Sequence, residues 1–171
     1  RVLDLCAGGG CIGISCALRF PGCHVDLAEL CADACELAAA NVALYKLSPR
    51  VSVLRSDLFS ALTETYDLII SNPPYVSRQE IAALPEEYGH EPELGLLSED
   101  GGLALPLQIL REAADFLSAD GVLILEVGYS RAQLSTRLKT VPLGWLEFAR
   151  GGEGVLALTR NQLQRYDRLF N

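Results

Sequence analysis

The stretch that decides the fold lies at the start of the chain, where residues 2–13 read VLDLCAGGGCIG. Its apolar beginning is typical of a buried strand, and its three consecutive glycines are typical of a tight turn. Residues 11–20, which begin within this stretch, are typical of a helix. Glycine lets the backbone adopt positive φ and approach a ligand closely. The spacing Gly8-x-Gly10-x-x-Gly13 also fits a dinucleotide fingerprint. This stretch therefore predicts a strand, turn and helix that together hold a cofactor.

The rest of the chain alternates in the same way between apolar strands and helical segments. We expect strands at 1–5, 24–30, 50–55, 66–71 and 122–127, and helices at 11–20, 32–45, 103–117 and 131–138. A turn at Asp120-Gly121 should precede the fifth strand. Two further strands, 145–149 and 154–159, flank a glycine turn and suggest a hairpin, and the last ten residues look helical. The pattern predicts one α/β domain over residues 1–171, with a doubly wound, mostly parallel sheet of seven strands and an antiparallel edge hairpin.

A second informative feature follows the strand at 66–71, where the chain reads Asn72-Pro73-Pro74-Tyr75. Ligands of open α/β sheets bind outside the carboxyl ends of the strands. The Asn72 side-chain oxygen and the Pro73 carbonyl could accept from both hydrogens of a planar –NH2 group, and Tyr75 could stack on it. Proline fixes φ and removes a donor, so the segment is set as an acceptor surface. The tetrapeptide predicts methyl transfer to an amide or exocyclic nitrogen, although Asn-Pro-Pro can also form an ordinary turn.

The tetrapeptide opens an irregular segment, residues 73–102, which is rich in Pro, Glu and Gly. About thirty residues without regular structure are long for a connection inside a compact domain. Such loops are usually functional or disordered, and the position of this one favours a substrate-contacting loop.

Three acidic residues bear on the choice of cofactor. A carboxylate at Asp4, just before the glycines, would repel a pyrophosphate but attract the ammonium and sulfonium of S-adenosylmethionine, unless it bonds the loop backbone instead. Glu29 closes the second strand, where a ribose-binding carboxylate is expected. Asp57 could accept from the adenine amino group, or could cap the following turn. We also assign Cys6 and Leu58, which adjoin these groups, to the cofactor-binding residues.

Composition and charge restrict the function further. The chain has 171 residues, 14 Lys plus Arg against 22 Asp plus Glu, and a net charge of −8. Proteins held to nucleic-acid phosphates usually carry basic patches, so we expect no stable DNA binding and a better match to a basic partner. No apolar run is long enough to span a bilayer and no signal peptide is visible, so we expect a cytoplasmic protein without membrane contact. The absence of Met suggests a domain excised from a longer protein.

Six cysteines, all in the first 35 residues, form no Cys-x-x-Cys pair. Zinc binding by Cys23, His24, Cys31 and Cys35 is conceivable, but the spacing matches no standard ligand pattern. We expect small buried residues with free thiols, as in a reducing compartment, and no metal.

These motifs resemble a known family. Residues 4–12 together with 72–75 are similar to the HemK-type protein-glutamine N5-methyltransferases. Residues 84–96, which read LPEEYGHEPELGL, resemble the branch that methylates a glutamine of ribosomal protein uL3 (the PrmB type), and 145–148 and 151–155 fit that branch too. The resemblance covers nearly the whole chain and implies a class I S-adenosylmethionine-dependent methyltransferase of Rossmann-like fold. It also implies a helical N-terminal substrate-recognition domain, which we expect to lie outside this chain.

Carried over position by position, the resemblance implies two sets of site residues. Cofactor contacts would come from Asp4, Gly8 and Gly10 at the methionine end, from Glu29 at the ribose, and from Asp57 at the adenine, with Asn72 also facing the cofactor. The glutamine amide would be held by Asn72, Pro73, Pro74 and Tyr75, of which Asn72, Pro73 and Tyr75 would be catalytic.

Three other functions remain open at this point. The tetrapeptide is shared with N6-adenine DNA and N2-guanine RNA methyltransferases, although those need a basic surface. A dinucleotide-binding oxidoreductase would explain the glycines but neither Asp4 nor the tetrapeptide. A domain that binds the cofactor without catalysis is the last alternative.

Overall fold

The computed structural model describes residues 1–74, 102–149 and 151–170. Its strands are β1 (Val2–Leu5), β2 (Val25–Glu29), β3 (Val51–Arg55), β4 (Tyr66–Ser71), β5 (Leu117–Glu126), β6 (Gly144–Trp145) and β7 (Val155–Thr159). Its α-helices are α1 (Cys11–Arg19), α2 (Ala32–Leu44), α3 (Ala104–Phe116), α4 (Arg131–Arg137) and α5 (Arg160–Tyr166), with short 3-10 turns at Gly128–Ser130 and Asp167–Leu169. None of the described helices is long and apolar enough to cross a membrane.

The strands form one seven-stranded sheet in the order β3-β2-β1-β4-β5-β7-β6. Strands β1 to β5 are parallel, and β7 lies antiparallel between β5 and β6. All four residues of β1 are buried, as expected for a parallel strand with helices on both faces. The predicted doubly wound sheet with an antiparallel edge is confirmed.

Both faces of the sheet are packed, because successive side chains of a strand point to opposite sides. Leu3 and Leu5 belong to the larger core cluster, which also contains Leu110 of α3. Val2 belongs to the smaller cluster, which also contains Ile14 of α1. The sheet is therefore held rigidly between two helical layers, and the loops at its edges extend from a fixed frame.

Two strands differ from the predictions by more than one residue at an end. Strand β5 begins at Leu117, directly after α3, because the pairing shifts register between Tyr66 and Leu68 and a bulge takes up the predicted turn. A Cβ on Gly121 would lie 2.9 Å from the Tyr66 carbonyl oxygen, so this bulge needs glycine. Strand β6 ends at Trp145 instead of reaching residue 149.

Two further predictions concern the last residues of the chain and the loop at 73–102. The predicted helical character of the last residues is confirmed by α5, which starts with a capping box between Thr159 and Gln162. The predicted irregular loop at 73–102 lies mostly outside the described residues, as do Tyr75 and residues 84–96.

Candidate functional site

The site lies where the direction of strand order reverses, between β1 and β4. Leu5, the last residue of β1, pairs with Ser71, the last residue of β4. Cys6, which follows β1, and Asn72, which follows β4, therefore leave the sheet next to each other. Open α/β sheets bind their ligands at this switch point. The two motifs that the sequence singled out are thus brought together.

The turn after β1 has the left-handed backbone that its glycines allow. Gly8 and Gly10 have φ of 54° and 82°, in the left-handed region. A Cβ on Gly10 would lie 2.8 Å from the Leu27 Cδ1, whereas one on Gly8 would meet no atom within 4 Å. Gly10 is therefore needed for packing against β2, and Gly8 leaves open space beside the backbone.

Asp4 lies beneath this turn, with 1% of its surface exposed. Its Oδ2 accepts a hydrogen bond of 2.7 Å from the backbone N–H of Gly13, in the first turn of α1. Burial raises the pKa of Asp4 to about 7, against the lowering effect of the Gly13 bond, and nearby Glu29 raises it further. Asp4 is thus bonded to the backbone at the start of α1, and its contact with a cofactor stays a prediction.

Glu29 connects the glycine turn to the start of α2. Its Oε2 accepts from the Gly8 N–H and its Oε1 from the Cys31 N–H, both at 2.8 Å. The side chain is only half-buried, so lone pairs of the same carboxylate remain within reach of a ligand. This acidic strand end is therefore built into the loop and is more than a solvated surface residue.

A third side chain holds the glycine turn, and the sequence analysis missed it. The Asn41 side-chain amide, from α2, donates a hydrogen bond of 2.9 Å to the Gly9 carbonyl oxygen. A Cβ on Gly9 would lie 3.5 Å from the same Asn41 nitrogen. A polar amide within the alanine-rich run 38–43 was the available signal, but its partner lies 32 residues away.

Cys6 is the first residue beyond β1 and has a positive φ of 60°. Burial raises the pKa of its thiol to about 12, with a further rise from Glu29 and a lowering hydrogen bond to Ser71. The Ser71 hydroxyl in turn donates to the Leu5 carbonyl oxygen at 2.8 Å. Cys6 is therefore a neutral thiol that links the ends of β1 and β4, and no nucleophile at neutral pH.

The turn after β3 presents Asp57 at the same edge of the sheet. The Ser56 hydroxyl donates to the Leu58 carbonyl oxygen at 2.6 Å, and Leu58, with φ of 44°, is buried. Asp57 is exposed, and its carboxylate makes no hydrogen bond or ion pair to the described residues. Its backbone carbonyl, and not its side chain, accepts from the Ser60 N–H, so the carboxylate remains available to a ligand.

The residues after β4 differ in exposure in a way that suits recognition of a substrate. Asn72 is exposed, Pro73 is buried and Pro74 is half-buried. Within the described ranges, no partner bonds the Asn72 amide. An exposed amide thus precedes a buried proline at the end of β4, next to the end of β1.

Cys23, His24, Cys31 and Cys35 were the conceivable zinc ligands. Among the residues that the structure describes, no group of three or more His, Cys, Asp or Glu is placed to hold a metal ion. All six cysteines are free.

The seven-stranded sheet with its glycine turn and polar strand ends has the fold of class I S-adenosylmethionine-dependent methyltransferases. Residues 1–87 match the family model described as "Methyltransferase small domain", and the chain belongs to that family. The match includes both the glycine turn and the tetrapeptide.

Two curated relatives bear the same description, "Ribosomal protein uL3 glutamine methyltransferase". The protein of Francisella tularensis subsp. tularensis is 44% identical over 170 residues, which are 99% of this chain and 54% of the relative. That of Neisseria gonorrhoeae is 46% identical over 163 residues, 95% of this chain and 54% of the relative. The chain thus spans about half the length of these relatives.

Among solved structures, a methyltransferase from Pyrococcus furiosus is similar to this chain with a TM-score of 0.67 and 20% identity. The match covers 93% of this chain and 74% of that protein, and it supports the fold alone.

Proposed function

We propose that this chain is the catalytic domain of an enzyme that transfers a methyl group from S-adenosylmethionine to the side-chain nitrogen (N5) of a glutamine in ribosomal protein uL3. The observation that carries the proposal is the pairing of Leu5 with Ser71, which sets the Asn72-Pro73 acceptor surface beside the glycine turn. The two relatives named for this activity, at 44% and 46% identity, support the choice of acceptor.

The cofactor fits the described turn on physical grounds. The open space beside Gly8 admits a ligand to the backbone, and Glu29 offers a half-exposed carboxylate to a ribose diol. Asp57, whose carboxylate has no partner among the described residues, offers it to the adenine amino group, and the neighbouring Leu58 is buried. Gly10, Cys6 and Asp4 then shape the methionine end, Asp4 acting through the Gly13 N–H. When bound, the cofactor supplies an electrophilic methyl group on a sulfonium.

The residues after β4 orient the nitrogen that receives this methyl group. The Asn72 side-chain oxygen and the Pro73 carbonyl accept from the two N–H groups of the glutamine amide, and Tyr75 stacks on its plane. Held in this way, the nitrogen would accept the methyl group that the bound cofactor supplies, which would leave the cofactor as a neutral thioether, and the surplus proton of the nitrogen would pass to water. Orientation of the amide and electrostatic stabilisation lower the activation barrier, so no dedicated general base is needed.

Two observations weigh against the other functions. The Gly13 N–H, where a dinucleotide pyrophosphate would bind, is already bonded to the Asp4 carboxylate. A net charge of −8 opposes the phosphates of DNA or RNA and suits a basic ribosomal protein as partner. The six free cysteines agree with a cytoplasmic location.

The test is methyl transfer by the full-length protein with radiolabelled S-adenosylmethionine. Undermodified uL3, a uL3 variant with its glutamines replaced, duplex DNA and ribosomal RNA serve as parallel acceptors. Label in uL3 that disappears in the glutamine variant is expected. Label in DNA or RNA but not in uL3 would reject the proposal, and binding of NADH in calorimetry would favour the oxidoreductase.

A further inference from the structure

Two exposed aromatic residues lie at the same edge of the sheet as Asn72, on the side away from the glycine turn. Strand β5 neighbours β4, with Leu125 paired to Ser71, so the chain after β5 emerges beside Asn72. Tyr129 follows in the 3-10 turn Gly128–Ser130 and is 87% exposed.

The loop between β6 and β7 reaches this edge as well. Val155, the first residue of β7, pairs with Glu126, the last residue of β5. The described residues of this loop, 146–149 and 151–154, therefore lie at the carboxyl ends of the parallel strands, and Phe148 among them is 52% exposed. We call the side chains of Tyr129 and Phe148, with the backbone of Val127, Gly128, Gly152 and Gly154 that holds them, the aromatic edge.

Backbone contacts hold the aromatic edge in place. The Val127 N–H donates to the Gly154 carbonyl oxygen at 2.8 Å. Gly154, at φ of 83°, packs so closely that a Cβ there would lie 2.4 Å from the Gly128 carbonyl oxygen. A Cβ on Gly152 would lie 2.7 Å from the Phe148 Cδ2. The two aromatic side chains thus project from one frame of closely packed glycines. Because this frame is already ordered, little conformational entropy is lost when a partner binds.

The charges on this frame indicate the chemistry of the partner. Glu147 and Glu153, on either side of the glycine turn, are both exposed. Arg131, two residues after Tyr129, lies over the Trp145 ring with its guanidinium carbon 4.9 Å from the centroid. The described charged residues of the loop between β6 and β7 are both acidic, and Arg150, between them in the sequence, lies outside the described residues. Together with the net charge of −8 of the whole chain, these carboxylates suit a positively charged polypeptide and oppose a phosphate backbone.

We propose that the aromatic edge docks the segment of the basic substrate protein that flanks its acceptor glutamine, with Tyr129 and Phe148 as apolar anchors and Glu147 and Glu153 facing its Lys and Arg side chains. This inference rests on the proposed function and adds the surface that recognises the substrate. Aromatic residues contribute much of the binding free energy in protein interfaces. A single exposed aromatic residue is common on protein surfaces, and it is the position of these two beside Asn72 that supports docking.

The chain offers a matched control for each aromatic residue. Tyr45 and Phe20, which are 52% and 55% exposed, follow the carboxyl ends of α2 and α1 and so lie at the opposite edge of the sheet. We would measure kcat and KM for uL3, and the Kd for S-adenosylmethionine, in Tyr129→Ala, Phe148→Ala, Tyr45→Ala and Phe20→Ala of the full-length protein. Thermal melting of each variant checks that it folds.

Docking predicts that Tyr129→Ala and Phe148→Ala each raise KM for uL3 by about tenfold, with kcat and the cofactor Kd within about twofold. Both control variants should behave as wild type. Glu147→Gln with Glu153→Gln should weaken the salt dependence of kcat/KM, unlike Asp115→Asn with Asp120→Asn at the opposite edge.

Each contrary result has a distinct meaning. Unchanged KM in folded Tyr129 and Phe148 variants of an active enzyme would overturn the docking surface and leave the proposed function standing. A wild-type protein that methylates no glutamine of uL3 would overturn both. A photo-crosslinker at position 129 that captures ribosomal RNA, or another segment of the same chain, in place of uL3 would also overturn the docking surface.

Discussion

The Asn41 side-chain amide donates a hydrogen bond of 2.9 Å to the carbonyl oxygen of Gly9, in the middle of the glycine turn. This bond ties the turn to α2, the bond of Glu29 to the Gly8 N–H ties it to β2, and the bond of Asp4 holds the start of α1, which follows the turn, on β1. The turn and the helix start are thus held from three elements before any ligand arrives. A preformed site spends less binding free energy on ordering its own backbone.

Asn41→Ala should therefore weaken S-adenosylmethionine binding about fivefold, since a hydrogen bond of this kind contributes about 1 kcal/mol. At saturating cofactor, kcat should change by less than about twofold because Asn41 contacts no reacting atom. Isothermal calorimetry and steady-state kinetics measure the two effects. Asn161→Ala, at an exposed position of α5, is the control. An unchanged cofactor Kd would show that the bond does not position the turn.

Asp4→Asn tests the buried carboxylate. With a pKa near 7 when folded, against 3.8 for an ordinary Asp, the native state holds the proton more tightly than the unfolded state. The contribution of Asp4 to stability is therefore most favourable below pH 4 and falls as the pH rises from about 4 to 7. Asn keeps an oxygen for the Gly13 N–H but cannot ionise.

We expect urea unfolding of the wild type to lose stability between pH 4 and 7 relative to Asp4→Asn, with a difference of a few kcal/mol at the upper end. Parallel pH profiles for the two proteins would mean that Asp4 is ionised throughout this range.

Gly13→Ala tests the packing of α1 on the sheet. A Cβ at Gly13 would lie 2.3 Å from the Leu27 Cδ2 and 3.0 Å from the Asp4 Cβ, so the helix must shift. We expect a loss of about 2 kcal/mol in the free energy of unfolding. Gly22→Ala, where a Cβ would meet nothing within 4 Å, should change stability by less than about 1 kcal/mol. Equal melting temperatures for the two variants would contradict this packing argument.

Asn72→Ala separates the acceptor surface from the cofactor pocket. Loss of one oriented hydrogen-bonding group should lower kcat about 100-fold, while the Kd for S-adenosylmethionine stays within about twofold. Single-turnover methylation of uL3 and calorimetry give the two numbers. If cofactor binding collapsed together with catalysis, Asn72 would belong to the cofactor pocket and its assigned role in holding the amide would be wrong.

Much of the fold was predictable because its signals are local. Apolar runs of four to six residues separated by helical segments correctly predicted the parallel strands, and the strand–glycine–helix pattern of residues 2–13 correctly predicted the fold class. The errors came from pairing: Asp120-Gly121 has the composition of a turn, but the fit of Gly121 against the Tyr66 carbonyl makes it a bulge within β5. Local composition does not contain that neighbour.

The candidate site was likewise predictable only in part. Residue types and spacing singled out Asp4, Glu29, Asp57 and the tetrapeptide, because carboxylates, glycines and a proline-fixed amide carry their chemistry with them. Their arrangement came from the tertiary structure. The bond from Gly13 to Asp4 and the bond from Asn41 to Gly9 join residues 9 and 32 positions apart.

The sequence by itself determined which chemical groups this protein brings to its site and the order of strands and helices that carries them. Only the tertiary structure decided that Leu5 ends beside Ser71, so that the glycine turn and Asn72 share one edge, and that Asp4 bonds the backbone at the start of α1. The physical reason is that strand pairing and burial act between segments far apart in the chain. Strand order, and with it the meeting of the two motifs, follows from how the whole sheet packs.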